Sequence, residues 1–374
     1  MNPELERMTS MLNHASIPEE VFGEISGEPA EMAEQLRHAY RMLARVAHPD
    51  GYRSSDDQAL AQYAFARLGE WLAQAEKKIS AGASGVRDTC RFIPLRSKNH
   101  VYSVDSTFTE DMLYQRHTCR FTENGNIVQA VLHLTRDPRN NDLAHNEARI
   151  LRLLAPETRA NKFSAYFPNL IDSFLIQEDG IQRQANIFSR GTGWYSLADV
   201  RMEYSAGIDP KDMAWIWRRL LVALGFAHGQ GIIHGATLPD NIFILPTEHG
   251  LRLDNWAFAA RQADDNCISG IEAEYYDWYP PEILNKECPK PATDIFLAAR
   301  SMIYLLGGDP IHTQFPASVP KPIQAFLKGC TLSQKHSRPQ DAWELKEEFD
   351  ELLQRLWGER KFHPFIMKSE PGCV

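Results

Sequence analysis

The apolar positions of this chain change period part-way along it. Leu36, Tyr40, Leu43 and Ala47 recur at three- and four-residue steps, which predicts one face of an amphipathic helix. Leu60, Ala64, Leu68, Trp71, Leu72, Ala75 and Ile79 repeat the pattern. The polar stretch HPDGYRSSDD between them, with Ser55 or Asp56 as a cap for the second helix, predicts a helical hairpin. Residues 83–97 turn small, polar and basic, as a linker does.

From Val101 to Leu134 the pattern becomes strand-like. Ile127, Val128, Val131, Leu132 and Leu134 follow an NGN turn at Asn124–Asn126, a hairpin signal. A helix is predicted over Asp142–Leu154, then strands through Phe188. Helices dominate afterwards, over Pro210–His228, Thr293–Leu306 and Gln340–Leu356. Strands followed by helices predict an α+β body of two lobes. The expected divisions are 15–82 for the helical unit, 98–190 and 191–358 for the lobes, and 359–374 for a tail.

Composition narrows the function classes. The chain has 374 residues and a formal net charge of -9, which disfavours a nucleic-acid partner, whose phosphates want a basic face. Its six cysteines, Cys90, Cys119, Cys267, Cys288, Cys330 and Cys373, form no CxxC pair. Neither zinc nor redox chemistry is visible, and reduced thiols suit the cytoplasm. The opening MNPELERMTS lacks the apolar core of a secretory signal. The most apolar window, Ala214–Leu224, is broken by Arg218 and Arg219 and is too short to span a bilayer, so no membrane partner is expected.

Two stretches carry family resemblances. His48-Pro49-Asp50, after AYRMLARVA and between the two helices, resembles the loop of the J-domain (DnaJ) family. That resemblance implies that His48, Pro49 and Asp50 engage a DnaK-type chaperone. The charges suit docking on their own account. Arg37, Arg41 and Arg45 are four apart, on one helix face. Residues 1–82 as a whole hold 8 Lys and Arg against 13 Asp and Glu, so the basic stripe is local and fits an acidic partner surface.

Residues 98–358 resemble the protein-kinase fold. Asn146–Leu151 resembles the regulatory helix of the small lobe, with Glu147 at its glutamate. Ile232-Ile233-His234-Gly235-Ala236 opens like the catalytic loop, and Pro239 and Asn241 fit its later positions. Tyr279-Pro280-Pro281-Glu282 resembles the APE motif. Asp294 resembles the aspartate that anchors the loop, and Arg338 the arginine that pairs with Glu282. The resemblance implies structural roles for Glu282, Asp294 and Arg338.

Against that pattern the reacting groups depart. Phosphoryl transfer relies on positioning and on particular charges. The base position holds Ala236, the loop lysine is Leu238, and the strand lysine is His133. The loop over the phosphates, Ser106–Met112, has no glycine and carries Glu110 and Asp111, two carboxylates that oppose phosphate. The metal aspartate falls on Asp254 or Asn255. The alternation of Leu251 and Leu253 favours Asn255, while the distance from Asn241 also admits Asp254. Arg252, Arg136 and Lys162 remain as cations that could reach phosphates. The expectation is therefore a chain that is not an enzyme. It would be a chaperone adaptor whose pseudokinase body binds an unknown protein client, with no cofactor and ATP and Mg²⁺ disfavoured. Trp194, Trp215 and Trp217 are candidate client contacts. The alternatives are an atypical ATP-binding kinase or phosphotransferase, and a scaffold with a vestigial J-domain.

Overall fold

The computed structural model describes residues 2–15, 18–22, 29–52, 54–80, 93–160, 163–178, 180–264, 270–359 and 362–367. The chain divides into two compact units, Met1–Arg91 and Phe92–Val374.

The first unit is helical: α1 (Pro3–His14), α2 (Pro18–Phe22), α3 (Pro29–Ala47) and α4 (Ser55–Ser80). Leu36, Ala47, Ala64, Leu68, Trp71 and Ala75 are buried, so both predicted apolar faces form the core. Helix α1 joins them through Leu5, Met8 and Leu12, and Trp71 Nε1 donates to Leu12 O at 3.1 Å. The unit therefore reaches back beyond residue 15. A 12-residue helix with four apolar positions is marginal alone, and α1 gains its stability from packing on α4.

The second unit opens with β1 (Ile93–Arg96), β2 (Val101–Val104), β3 (Thr109–Glu110), β4 (Tyr114–Glu123) and β5 (Asn126–Thr135). Next come α5 (Asn141–Ala160), β6 (Leu170–Glu178) and β7 (Ile181–Ser189). These strands make one antiparallel sheet in the order β1-β2-β4-β5-β7-β6, with β3 on β4. Strand β1 corrects the expected linker: Ile93 pairs with Val104 and Arg96 with Val101. Its side chains are mostly exposed, so backbone pairing holds it and no apolar alternation announced it. Asn124 (φ 50°) and Gly125 (φ 81°) make a two-residue hairpin turn with both residues left-handed, which glycine tolerates.

The larger lobe follows with β8 (Tyr195–Ser196), α6 (Leu197–Glu203), α7 (Pro210–Gly229), β9 (Ile232–Ile233), β10 (Ile242–Leu245), β11 (Gly250–Leu253) and β12 (Ala260–Arg261). It closes with α8 (Pro281–Leu284), α9 (Pro291–Leu305), α10 (Lys321–Cys330) and α11 (Ala342–Trp357). Helices α7 and α9 are apolar on nearly every face and lie at the centre of the core. Trp215 and Trp217 are buried there, which removes them as client contacts. The expected tail is also corrected. Phe365 is buried in this core, and the His249 ring lies between Trp215 (4.3 Å) and Phe362 (4.4 Å). His363 Nδ1 meets Asp212 Oδ1 at 3.0 Å. Residues 368–374, like most of the expected linker, lie outside the described residues.

Candidate active site

Glu147 projects from α5 and is almost fully buried, as are its partners. Its carboxylate accepts from Tyr114 Oη (2.8 Å), Asn186 Nδ2 (3.3 Å) and the Trp256 backbone N–H (3.2 Å). Burial raises its pKa to about 7 against the opposing pull of those donors. Glu147 thus spends its oxygens on neutral donors, and no ion pair to His133 is seen.

His133 stands on β5 directly opposite Arg116 on β4 and Asn186 on β7. Its ring lies 5.1 Å from that of Tyr114 and 4.7 Å from that of Phe188. Burial, then Arg116 and Arg252, hold its pKa well below the ordinary histidine value. The imidazole is therefore neutral, and its Nδ1 is sealed from solvent with no hydrogen-bond partner.

The loop between α7 and β10 is built on Asp294. This buried carboxylate accepts from the backbone N–H groups of His234 and Gly235, both at 2.8 Å, and meets His228 Nε2 at 2.9 Å. Gly235 has φ 79°, a conformation glycine permits without strain. Ala236 and Leu238 are fully buried and pack with Leu113, Tyr114, Phe258 and Tyr279. Asn241 Nδ2 reaches back to Ala236 O at 2.8 Å. At the far side of the lobe Arg338 grips Glu282 in two bonds, of 2.6 and 3.0 Å.

Asp254 and Asn255 are separated by their surroundings. Asp254 is held by Arg252 in two bonds, of 2.6 and 2.8 Å, and that guanidinium lies over the Trp194 ring. Asn255 has φ 58° and donates through Nδ2 to Asn241 Oδ1 (3.1 Å) and Glu272 Oε1 (2.9 Å). Asn241 Nδ2 also donates to Glu272 Oε1, at 2.7 Å. Burial raises Glu272 to about 7 against the Asn241 hydrogen bond, with Asp240 and Asp111 adding to the rise. Asn255 Oδ1 is sealed and unpartnered.

Sequence reasoning missed Glu272 and Arg116. Glu272 belongs to an irregular segment with no periodicity to expose it. Arg116 was accessible by counting outward from the Asn124-Gly125 turn to the partner of His133. The acidic loop also differs from expectation. Asp111 pairs with Arg116 at 2.5 Å and Glu110 with Arg136 at 3.5 Å, so both carboxylates are compensated. Lys162 lies outside the described residues, as does the side chain of Asp50.

The oxygens of Glu272, Asn241 and Asn255 are hard donors of the kind Mg²⁺ takes. The orphaned Asn255 Oδ1 leaves one of them free for a ligand, so the donor chemistry fits the ion, with a single carboxylate in the set. Among the described residues no group of three or more His, Cys, Asp or Glu could hold a metal alone.

Across solved structures the chain is similar to vaccinia related kinase 3, with a TM-score of 0.54 over 71% of this chain and 91% of that one, at 16% identity. The body has a protein-kinase-like fold. Among curated relatives it is similar to the serine/threonine-protein kinase max-2 of Caenorhabditis elegans, 23% identical over 215 residues, 54% of this chain and 31% of the relative. A shorter stretch of 93 residues is 42% identical to casein kinase II subunit alpha' of Saccharomyces cerevisiae, covering 25% of this chain and 26% of that protein. Mouse serine/threonine-protein kinase PAK 1 matches at 25% over 142 residues, 38% of this chain and 25% of its own. The chain spans about a third or less of the curated relatives it matches. No family model matches. These relatives correct the expectation that the chain is not an enzyme, because each is named a protein kinase or a casein kinase subunit and so points to a kinase-type enzyme. They lend nothing to the J-domain resemblance.

Proposed function

We propose that the body is an atypical phosphotransferase that takes a nucleoside triphosphate such as ATP as substrate, with Mg²⁺ as cofactor. The observation that carries this reading is Glu272. Its carboxylate bridges Asn241 and Asn255, and Asn241 in turn bonds the carbonyl of Ala236, at the vacant base position. A carboxyl group with a pKa near 7 is suited to accept a proton at neutral pH. In this reading the acceptor hydroxyl gives its proton to Glu272, its oxygen bonds the terminal phosphorus, and the nucleoside diphosphate leaves. We take Asn255 as the metal-loop residue, with Asn241 as its companion, and keep Glu272 for the proton. Bound there, Mg²⁺ would neutralise charge on the phosphates. Asp294 fixes the loop backbone, and the Glu282–Arg338 pair anchors the segment that follows Glu272.

The test is phosphoryl release or transfer from ATP with Mg²⁺ by the full chain. Glu272→Gln is expected to lower activity by about 10²-fold or more. No turnover together with no nucleotide-dependent stabilisation would overturn the reading.

The helical unit supports a second, independent reading, as the docking site of a DnaK-type chaperone. Arg37, Arg41 and Arg45 are all exposed on α3, which runs directly into the exposed His48 and the turn at Pro49. Stimulation of such a chaperone's ATPase by wild type, lost in His48→Gln, is the expected result; equal stimulation by both would sink it. Among the described residues no helix is long and apolar enough to cross a membrane. The buried thiols of Cys119 and Cys330, in no disulfide, favour the cytoplasm.

A further inference from the structure

Two guanidinium groups, those of Arg116 and Arg252, act electrostatically on His133. Arg252 is held by Asp254 and two aromatic rings. Its Nε and one terminal nitrogen bond Asp254, and its plane lies over Trp194 at 4.9 Å and Phe243 at 5.7 Å. Arg116 is engaged on one side alone. It pairs with Asp111 at 2.5 Å, while its Nε is sealed from solvent with no acceptor.

Position makes that vacancy informative. Arg116 and His133 are directly paired across β4 and β5. Residues paired in this way present their side chains on the same face of the sheet, with Cβ atoms about 5 Å apart. A guanidinium at 116 therefore serves the same part of the cleft as a side chain at 133. A sealed N–H without an acceptor costs about 1–3 kcal/mol, a cost removed when an acceptor arrives. On the paired residue, His133 Nδ1 is also sealed and without a partner.

We propose that Arg116 binds the nucleotide phosphates, supplying from β4 the positive charge for which β5 has no lysine at position 133. Arg116 presents a planar fork that matches phosphate oxygens. Asp111 remains held by the backbone N–H groups of Leu113 and Tyr114, both at 2.7 Å, so it stays in place as the phosphate meets the solvent-exposed part of the half-buried Arg116 side chain. Glu147 needs no cationic partner here, because Tyr114, Asn186 and Trp256 already satisfy it.

This inference rests on the proposed phosphotransferase reading, and binding by the full chain separates the two. ATP with Mg²⁺ and adenosine are each titrated by calorimetry into wild type, Arg116→Met, Arg116→Lys and Arg136→Gln. Arg116→Met is expected to bind ATP about 10- to 100-fold more weakly, the equivalent of one charge-assisted hydrogen bond. Its adenosine affinity stays unchanged, since adenosine has no phosphate. Arg116→Lys keeps part of the ATP affinity, Arg136→Gln keeps all of it, and adding His133→Lys to Arg116→Met restores it. ATP affinity equal to wild type in Arg116→Met, or an equal loss for adenosine, overturns the role of Arg116 and leaves the phosphotransferase reading intact. Absence of nucleotide binding by wild type overturns both.

Discussion

Single side chains in this body hold more charge out of water than its apolar core can absorb unaided. Arg338 and Glu282 are both buried and meet in a two-bond pair. Removing one partner strands the other charge, so Arg338→Met is expected to cost about 3–5 kcal/mol in chemical denaturation. Glu147 behaves differently, because burial lifts its pKa above the ordinary carboxylate value to about 7. Between pH 4.5 and about 7 the folded chain then holds a proton that the unfolded chain has released. Its contribution to stability is therefore complete below that window and declines as pH rises through it, with a limiting slope of about 1.4 kcal/mol per pH unit. Glu147→Gln is expected to flatten that part of the profile, read from denaturation midpoints across pH. A slope unchanged in the variant would place the titration elsewhere. Glu282 and Arg338 were legible because their neighbours, Tyr279–Pro281 and Pro339, form recognisable local patterns. Glu272 was not legible, since its meaning comes from Asn241 and Asn255, far away in the chain.

Strand register decides which side chains share the cleft. The hairpin of β4 and β5 is pinned by Asn124 and Gly125, both at positive φ. Gly125→Ala is expected to cost about 1 kcal/mol, since a Cβ meets open space but disfavours φ 81°. That figure is checked by equilibrium unfolding. A one-residue slip of either strand would put His133 and Arg116 on opposite faces. The NGN turn and the alternation after it were sufficient to predict this hairpin. Strand β1 was hidden because its exposed side chains follow no period, and only its bonds to β2 define it. Helices α7 and α9 were legible as helices, yet their burial on all sides, which takes Trp215 and Trp217 out of reach, depends on what packs around them.

At the scale of the whole chain, two units have separate cores. Leu68 is fully buried in the helical one. Leu68→Ala is expected to destabilise that unit by about 2–5 kcal/mol. Under the proposed phosphotransferase reading, the change in melting temperature expected of the body with ATP and Mg²⁺ should stay the same, as thermal melts with and without nucleotide would report. The sequence by itself determined the α+β body, its kinase-like landmarks, the helical faces and the hairpin. Each rests on local periodicity or a short motif, and neighbouring residues carry that information. It also exposed the missing charges at 133, 236 and 238, and from these it drew an inactive protein. Whether other groups fill those vacancies is a question of long-range proximity. Only the tertiary structure sets Glu272 between Asn241 and Asn255, because the chain must fold before residues so far apart in sequence can share one low-dielectric cleft.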